Sequence, residues 1–402
     1  AMATTPVAVA PVPVITPEQT LLITQLKEKV SSVLRPKRHS DEYLLRFLKA
    51  RNMDVTKASE MFIASMNWRR DNGVDQILQT FPTSPYFKPL MAYWPSTYLG
   101  EMSNGYQVFY ERLGDVEVKH LLRAIPLDAL ISYHIYILES QERERRRQIK
   151  KRGYSLPFVN VQDCDGLGMK HAYTPGIDFL KALSKIDEAN YPEMVHQIFF
   201  INTPGVFSVL YKLIQPFIPA STADKISLNK DQLVSLIPAE RLPPQLGGTA
   251  AVSLCKGGPI EDKDVFPGKT ATVAAGSMHQ ETFIVDMPGS TLHVHFSTES
   301  NDIGFSLLYK ARATDKEAVA LLPMKRYDSH LTAIHVEFPT QEPGIYIANW
   351  DNTFSKWTSK QLYQHILEVT PIQQAQTIDE VLRADPIMGN ANGFLLGKVT
   401  AN

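Results

Sequence analysis

Gln197–Ala220, QIFFINTPGVFSVLYKLIQPFIPA, sets a strand, a hinge and an oily helix in one run. Gln197–Thr203 is a continuous apolar stretch between polar ends, the pattern of a strand covered on both faces as in a parallel sheet. Pro204 and Gly205 end it. From Val206 the apolar residues recur as Val206, Phe207, Leu210, Leu213, Ile214 and Phe217, a helical stripe broken by Pro216 and Pro219 around Ile218. Such a helix either packs as core or lines an apolar cavity and moves.

Working outward, Phe158–Asp163 reads as an earlier strand, Gln107–Gly114 as the first of the sheet and Lys225–Leu228 as a short last one. Residues 76–105, rich in Pro, Tyr and Phe, read as loops and short helices. Asp128 opens a long helix that is apolar nearly all round through Leu138, so its first half must be buried. Thr174 as N-cap with Pro175 after it opens another, carrying Ile177, Leu180 and Leu183. Strands alternating with helices at this spacing predict a mixed, largely parallel sheet. Upstream, three short helices are expected: one carrying Leu22, Leu26, Val30 and Val33, one after Ser40, and one from Asp54 to Gly73.

The chain has 402 residues, 44% hydrophobic and 21% charged, with a formal net charge of −1. That length allows two to three domains. The near-neutral balance argues against nucleic acid as a partner and leaves local patches as the electrostatic route to a membrane surface. The dense basic run is Arg143, Arg145, Arg146, Arg147, Lys150, Lys151 and Arg152, set against Glu142 and Glu144. It reads as a solvated helix end complementing the dipole or as a patch for acidic head groups. Two cysteines, Cys164 and Cys255, support neither a disulfide scaffold nor a thiolate metal site, and a reducing cytosol is the expected setting.

Glu193 lies in Asn190-Tyr191-Pro192-Glu193 just before the strand; Thr222 and Lys225 lie just past the broken helix; and Leu44–Arg51 (LLRFLKAR) lies far upstream. Together with Trp68-Arg69-Arg70 and the closing LPPQLGG of Leu242–Gly248, these stretches resemble the CRAL-TRIO family in its phosphatidylinositol-transfer branch, over about residues 18–250. The resemblance implies a lipid-binding α/β domain behind a small helical module, with Val206–Ile218 as a gate helix that touches the bilayer. Phe207, Leu210, Leu213, Ile214, Phe217 and Ile218 are then gate and pocket residues. It also implies that Arg51, Glu193 and Lys225, with Thr222 beside them, hold an inositol phosphate: a guanidinium grips phosphate bidentately, an ammonium adds a point charge, and a carboxylate accepts from hydroxyls. On residue types alone, Arg51 reads as a solvated helix-end charge, and the three charges could simply pair with one another. Asn52 stands where the family often has a second basic residue. The family's choline subsite falls on Tyr98, Phe109, Phe158 and Asn160, of which Tyr98 alone keeps the family residue, so a more apolar second ligand is easier to accommodate.

After a hydrophilic linker at 261–264, short alternating segments at 282–285, 292–296, 303–309, 331–338, 344–348 and 364–369 predict an antiparallel sandwich. Pro343–Tyr346 through Trp350–Ser355, with Ser359–Tyr363, resembles the GOLD (Golgi dynamics) domain, which implies a possible protein partner. The expected organisation is a flexible tail at 1–17, a helical module at 18–75, the lipid-binding α/β domain at 76–257, an all-β GOLD sandwich at 265–370 and a tail at 371–402 with a short helix near 378–382. No GxSxG, HExxH or P-loop occurs, and Gly166-Leu167-Gly168 lacks the third glycine of a dinucleotide fingerprint, so neither an enzyme nor a cofactor is expected. His293 and His295 share one face of a predicted strand, but two histidines without a third ligand read as sheet residues, and no metal is expected.

Overall fold

The computed structural model describes residues 10–250, 257–265, 268–371 and 373. The helix expected near 378–382 and Cys255 lie outside them. Three capped helices open the chain. Thr16 and Gln19 exchange side-chain bonds to each other's backbone N–H at the start of α1 (Pro17–Lys29). The Ser40 hydroxyl accepts the Tyr43 N–H ahead of α2 (Asp41–Lys49), and Asp54 caps α3 (Val55–Asp71). Leu26, Val30, Leu44, Phe47, Leu48, Ala58 and Phe62 are their buried core.

Short α4 (Ile77–Thr80) and α5 (Phe87–Tyr93) lead into β1 (Ser96–Glu101), antiparallel to β2 (Gln107–Arg112). The stretch expected to hold loops and helices therefore contains an edge strand, and Gln107 begins the second strand rather than the first. Alternation is hard to see in β1 because its register slips between Tyr98 and Gly100, where Gly100 takes φ +88°. There follow α6 (Val118–Ala124), α7 (Leu127–Arg152), β3 (Phe158–Asp163), α8 (Thr174–Asn190), β4 (Val195–Ile201), α9 (Phe207–Ile214), α10 (Ala220–Ala223), β5 (Ile226–Ser227) and α11 (Lys230–Leu236). Thr174 is the first residue of α8 and Tyr173 its cap, one place earlier than expected. The sheet order is β1-β2-β3-β4-β5, parallel from β2 onward. Val108, Tyr110, Val159, Val161, Phe199 and Ile201 bury one face against Leu233, Ile237, Leu242 and Leu246. The other face looks onto α7.

The basic run on α7 is exposed at several positions toward its C-terminal end, as a solvated helix end would be, but Arg145 points inward with its acidic neighbours. Glu142, Glu144, Arg145 and Gln148 are buried, whereas Arg147, Lys150 and Lys151 are exposed. Arg46 on α2 pairs with Glu142, Arg145 donates to Glu42 at 2.9 Å, and Arg69 on α3 meets Glu139 at 2.7 Å. These pairs lock the helical module onto the α/β domain. Periodicity missed them because ion pairs can make charged residues core residues when both partners are supplied.

The linker also packs. Ile260 is buried in the α/β core, Val116 bridges to Gly258, and α12 (Asp262–Val265) accepts a 2.9 Å bond from Ser297 to Asp262. Beyond it lie β6 (Lys269–Val273), β7 (Met278–Val285), β8 (Thr291–Thr298), β9 (Ile303–Lys310), β10 (Val319–Tyr327), β11 (Ile334–Pro339), β12 (Gly344–Asp351) and β13 (Lys360–Val369). Two antiparallel sheets, β10-β9-β12-β7 and β11-β8-β13-β6, close on Phe296, Phe305, Tyr346, Trp350 and Leu362. β6 and β10 were not expected: KTATV and VALLPMKRY leave most of their side chains exposed, so neither shows a clean period of two. The sandwich docks on the α/β domain through Ala333 N–H to the Leu122 carbonyl at 2.8 Å and through Tyr86 against His295 at 3.1 Å. No single helix among the described residues is long and apolar enough to cross a membrane.

Candidate functional site: an apolar cavity under α7 and an uncovered helix

Residues aligned across the parallel strands share a face. Phe109 lies beside Asn160 and Ile198, and Glu111 beside Gln162 and Phe200, while Tyr98 pairs with Phe109 from β1. Over this face runs α7. Between them lies a narrow, partly open cavity of about 20 Å³ lined by Tyr98, Phe109, Phe158, Ile137, Ser140, Gln141 and Glu144. Three of the four expected pocket residues on the sheet therefore converge. The fourth, Asn160, lies on the same strand face, with a buried side-chain carbonyl that has no partner. The α7 residues were missed; the signal for them was Ser140 and Gln141 interrupting the apolar run after Leu138.

Deeper polar groups share this face. Trp94 Nε1–H donates to the Glu111 carboxylate, and burial raises the Glu111 pKa above the ordinary carboxylate value. His134 Nε2 meets Asp187 at 2.6 Å; burial opposes its charge, but the charge and hydrogen bond of Asp187 outweigh burial and raise its pKa.

The helix α9 has no buried residue despite its composition. Phe207 packs on Phe200 of β4 at 5.3 Å between ring centres, and Leu210 and Ile214 are half-buried, whereas Leu213 and Phe217 are 41% and 39% exposed. Ile218, also half-buried, follows the turn at Gln215–Phe217. The packed-core reading of this stripe is thus not what the fold does with it. Its tether is light: Ser184 Oγ–H donates to the Phe217 carbonyl at 2.8 Å, and the Lys181 ammonium lies 4.4 Å from the Phe217 ring centre.

Of the expected head-group residues, the structure joins two. Lys225 Nζ lies 3.3 Å from Glu193 Oε2, both side chains partly exposed. Thr222 is one turn back, its carbonyl accepting the Lys225 N–H at 3.0 Å. Glu193 adopts φ +54°, an uncommon conformation for a non-glycine residue, and its carbonyl accepts Arg145 Nη1 at 3.2 Å. Arg51 follows α2 and donates to the Ala50 carbonyl at 2.9 Å; it is not paired with Glu193. The alternative that all three charges pair together is therefore realised for Glu193 and Lys225 alone.

Fold and site define an α/β domain with an apolar cavity between sheet and helix. Residues 92–248 match the family described as CRAL/TRIO domain, and residues 18–64 match CRAL/TRIO, N-terminal domain. The α/β domain thus matches the CRAL/TRIO domain, and the helical module before it matches that family's N-terminal domain. The chain is similar to the CRAL-TRIO domain-containing protein T23G5.2 of Caenorhabditis elegans, 28% identical over 323 residues, covering 74% of this chain and 44% of that protein. The chain spans less than half the length of that relative. Among solved structures, the crystal structure of Sfh5 aligns at 19% identity and a TM-score of 0.40, over 52% of this chain and 76% of that one. A family 16 carbohydrate binding module aligns at 13% identity and a TM-score of 0.18, over 24% of this chain and 74% of that one.

Proposed function

We propose that this protein takes a lipid, phosphatidylinositol or another hydrophobic lipid, into the cavity under α7 and exchanges it between membranes. The observation that carries this reading is an oily helix left uncovered over β4, on the sheet face that also lines the apolar cavity under α7. A diacyl lipid presents roughly thirty methylenes, and at about 0.8 kcal/mol each their exposure to water costs on the order of 24 kcal/mol. A carrier removes most of that barrier by letting the tails pass from bilayer to cavity beside a membrane-touching helix. The cavity is small for such a ligand. Pockets for drug-sized molecules run about 300–1,000 Å³, so a partly open space of about 20 Å³ must widen greatly to take a diacyl chain. Outward movement of α9 is the motion its light tether permits. Arg51, Glu193, Thr222 and Lys225 then receive the head group, with the Glu193–Lys225 pair opening to admit a phosphate. The protein works as a cytoplasmic carrier, bound to membranes peripherally and transiently, without enzymatic activity or cofactor.

A second reading, a lipid-sensing adaptor whose GOLD-like sandwich recruits a protein partner, is favoured by Trp357, which is 92% exposed on the sandwich surface. Vesicle-to-vesicle transfer separates the two. The carrier reading expects fast exchange by residues 1–265 alone; slow exchange together with a partner lost on deleting 265–370 would establish the adaptor.

A further inference from the structure

β8 is an inner strand of its sheet, flanked by β11 and β13, and its residue 293 faces Glu337 while residue 295 faces both His335 and His365. Because side chains two apart share a face, His293, His295, His335 and Glu337 all stand on the same side of this sheet. The two histidines of β8 do not act as a pair. His295 is buried and takes the Tyr86 hydroxyl at 3.1 Å. His293 turns the other way along the ladder: its Nδ1 lies 3.2 Å from His335 Nε2 and 3.4 Å from Glu337 Oε1, and the three donor atoms all lie within 4.8 Å of one another.

We propose that His293, His335 and Glu337 form a binding site for a divalent zinc-class cation, with the fourth position open to water. Zinc held at about 2.0–2.1 Å in tetrahedral geometry separates its ligands by about 3.3 Å, which the two measured edges match. Two imidazoles and one carboxylate suit zinc, whereas calcium and magnesium take oxygen sets. Without a cation, one imidazole must donate a proton to the other across the 3.2 Å contact; a cation takes the place of that proton and uses both lone pairs. The Glu337 side chain is 62% exposed, so the site has an entry path and room for a water ligand. Tyr86 packs edge-on against His335 at 5.4 Å between ring centres and holds His295, so residues of the α/β domain brace the imidazoles from behind. A bound cation would therefore tighten β8 and β11 at the surface where the sandwich meets the lipid-binding domain.

Zn²⁺ titrated calorimetrically into the untagged 402-residue chain is expected to bind one ion per chain and to raise the melting temperature. Co²⁺ is expected to give the visible absorption of a tetrahedral site. His293→Ala or His335→Ala should weaken Zn²⁺ at least about tenfold, the loss seen even when an outer partner of a metal ligand is removed. Glu337→Gln, at an exposed position that leaves the fold intact, should weaken it and shrink the zinc-dependent rise in melting temperature. Equal Zn²⁺ affinity in the wild type and Glu337→Gln, or Co²⁺ binding with no tetrahedral spectrum, would overturn the assignment.

Discussion

At the scale of single residues, burial rather than sequence position decides what each charge does. His39 is almost fully buried, stacks on Tyr43, and accepts the Arg35 N–H on Nδ1 at 3.0 Å, which requires a neutral ring. Burial, then the neighbouring Arg38, Arg69 and Arg35, lower its pKa to about 4 from the ordinary 6.5. The folded pKa lies below the unfolded one, so the contribution is complete above pH 6.5 and is lost as pH falls toward 4. The helical module should be about 2 kcal/mol less stable at about pH 5 than at about pH 7 from this group alone. Urea melts at the two pH values check it, and His39→Gln should flatten the difference. Arg46 pairs with Glu142 where both are buried, so Arg46→Met leaves a carboxylate in the core and is expected to cost about 3 kcal/mol. Replacing both, Arg46→Met with Glu142→Leu, should recover part of that loss in the same melts.

At the scale of elements, α9 is the test case. Its apolar stripe was legible in Val206–Ile218, and so were β3, β4 and the capped helices, because each has a strong period or a capping residue next to it. What covers a stripe is not written in the stripe: the same pattern serves a core helix and an uncovered one. The strand β1 was hidden by its bulge, and the inward-facing α7 charges by partners about a hundred residues away. The head-group set was legible only through family resemblance; the structure joins Glu193 to Lys225 and leaves Arg51 on its own turn. For α9 the expectation is specific. Leu213→Asp and Phe217→Asp, at exposed positions, should change stability by less than about 1 kcal/mol. Lipid transfer between vesicles should nevertheless fall at least about tenfold, because a charge opposes the insertion of the helix face into the bilayer. Unchanged transfer would remove α9 from the role of gate.

At the scale of the whole molecule, three units are pinned together: the helical module by buried ion pairs to α7, and the sandwich by Leu122, Tyr86 and the packed segment from Gly257 to Val265. A truncation after Ala250 uncovers the slot filled by Ile260, whereas one after Val265 keeps it. Only the longer fragment should fold with the stability of the intact α/β domain, as thermal melts of both would show. The central claim is that the cavity holds a lipid whose head group meets Arg51, Glu193 and Lys225. Native mass spectrometry of the purified chain tests it most directly, comparing the wild type with Arg51→Ala plus Lys225→Ala. The account predicts one phosphatidylinositol per wild-type chain, absent from the double variant. An apolar lipid in both would contradict the head-group site, and a wild type with no lipid, refusing it from vesicles as well, would contradict the carrier itself.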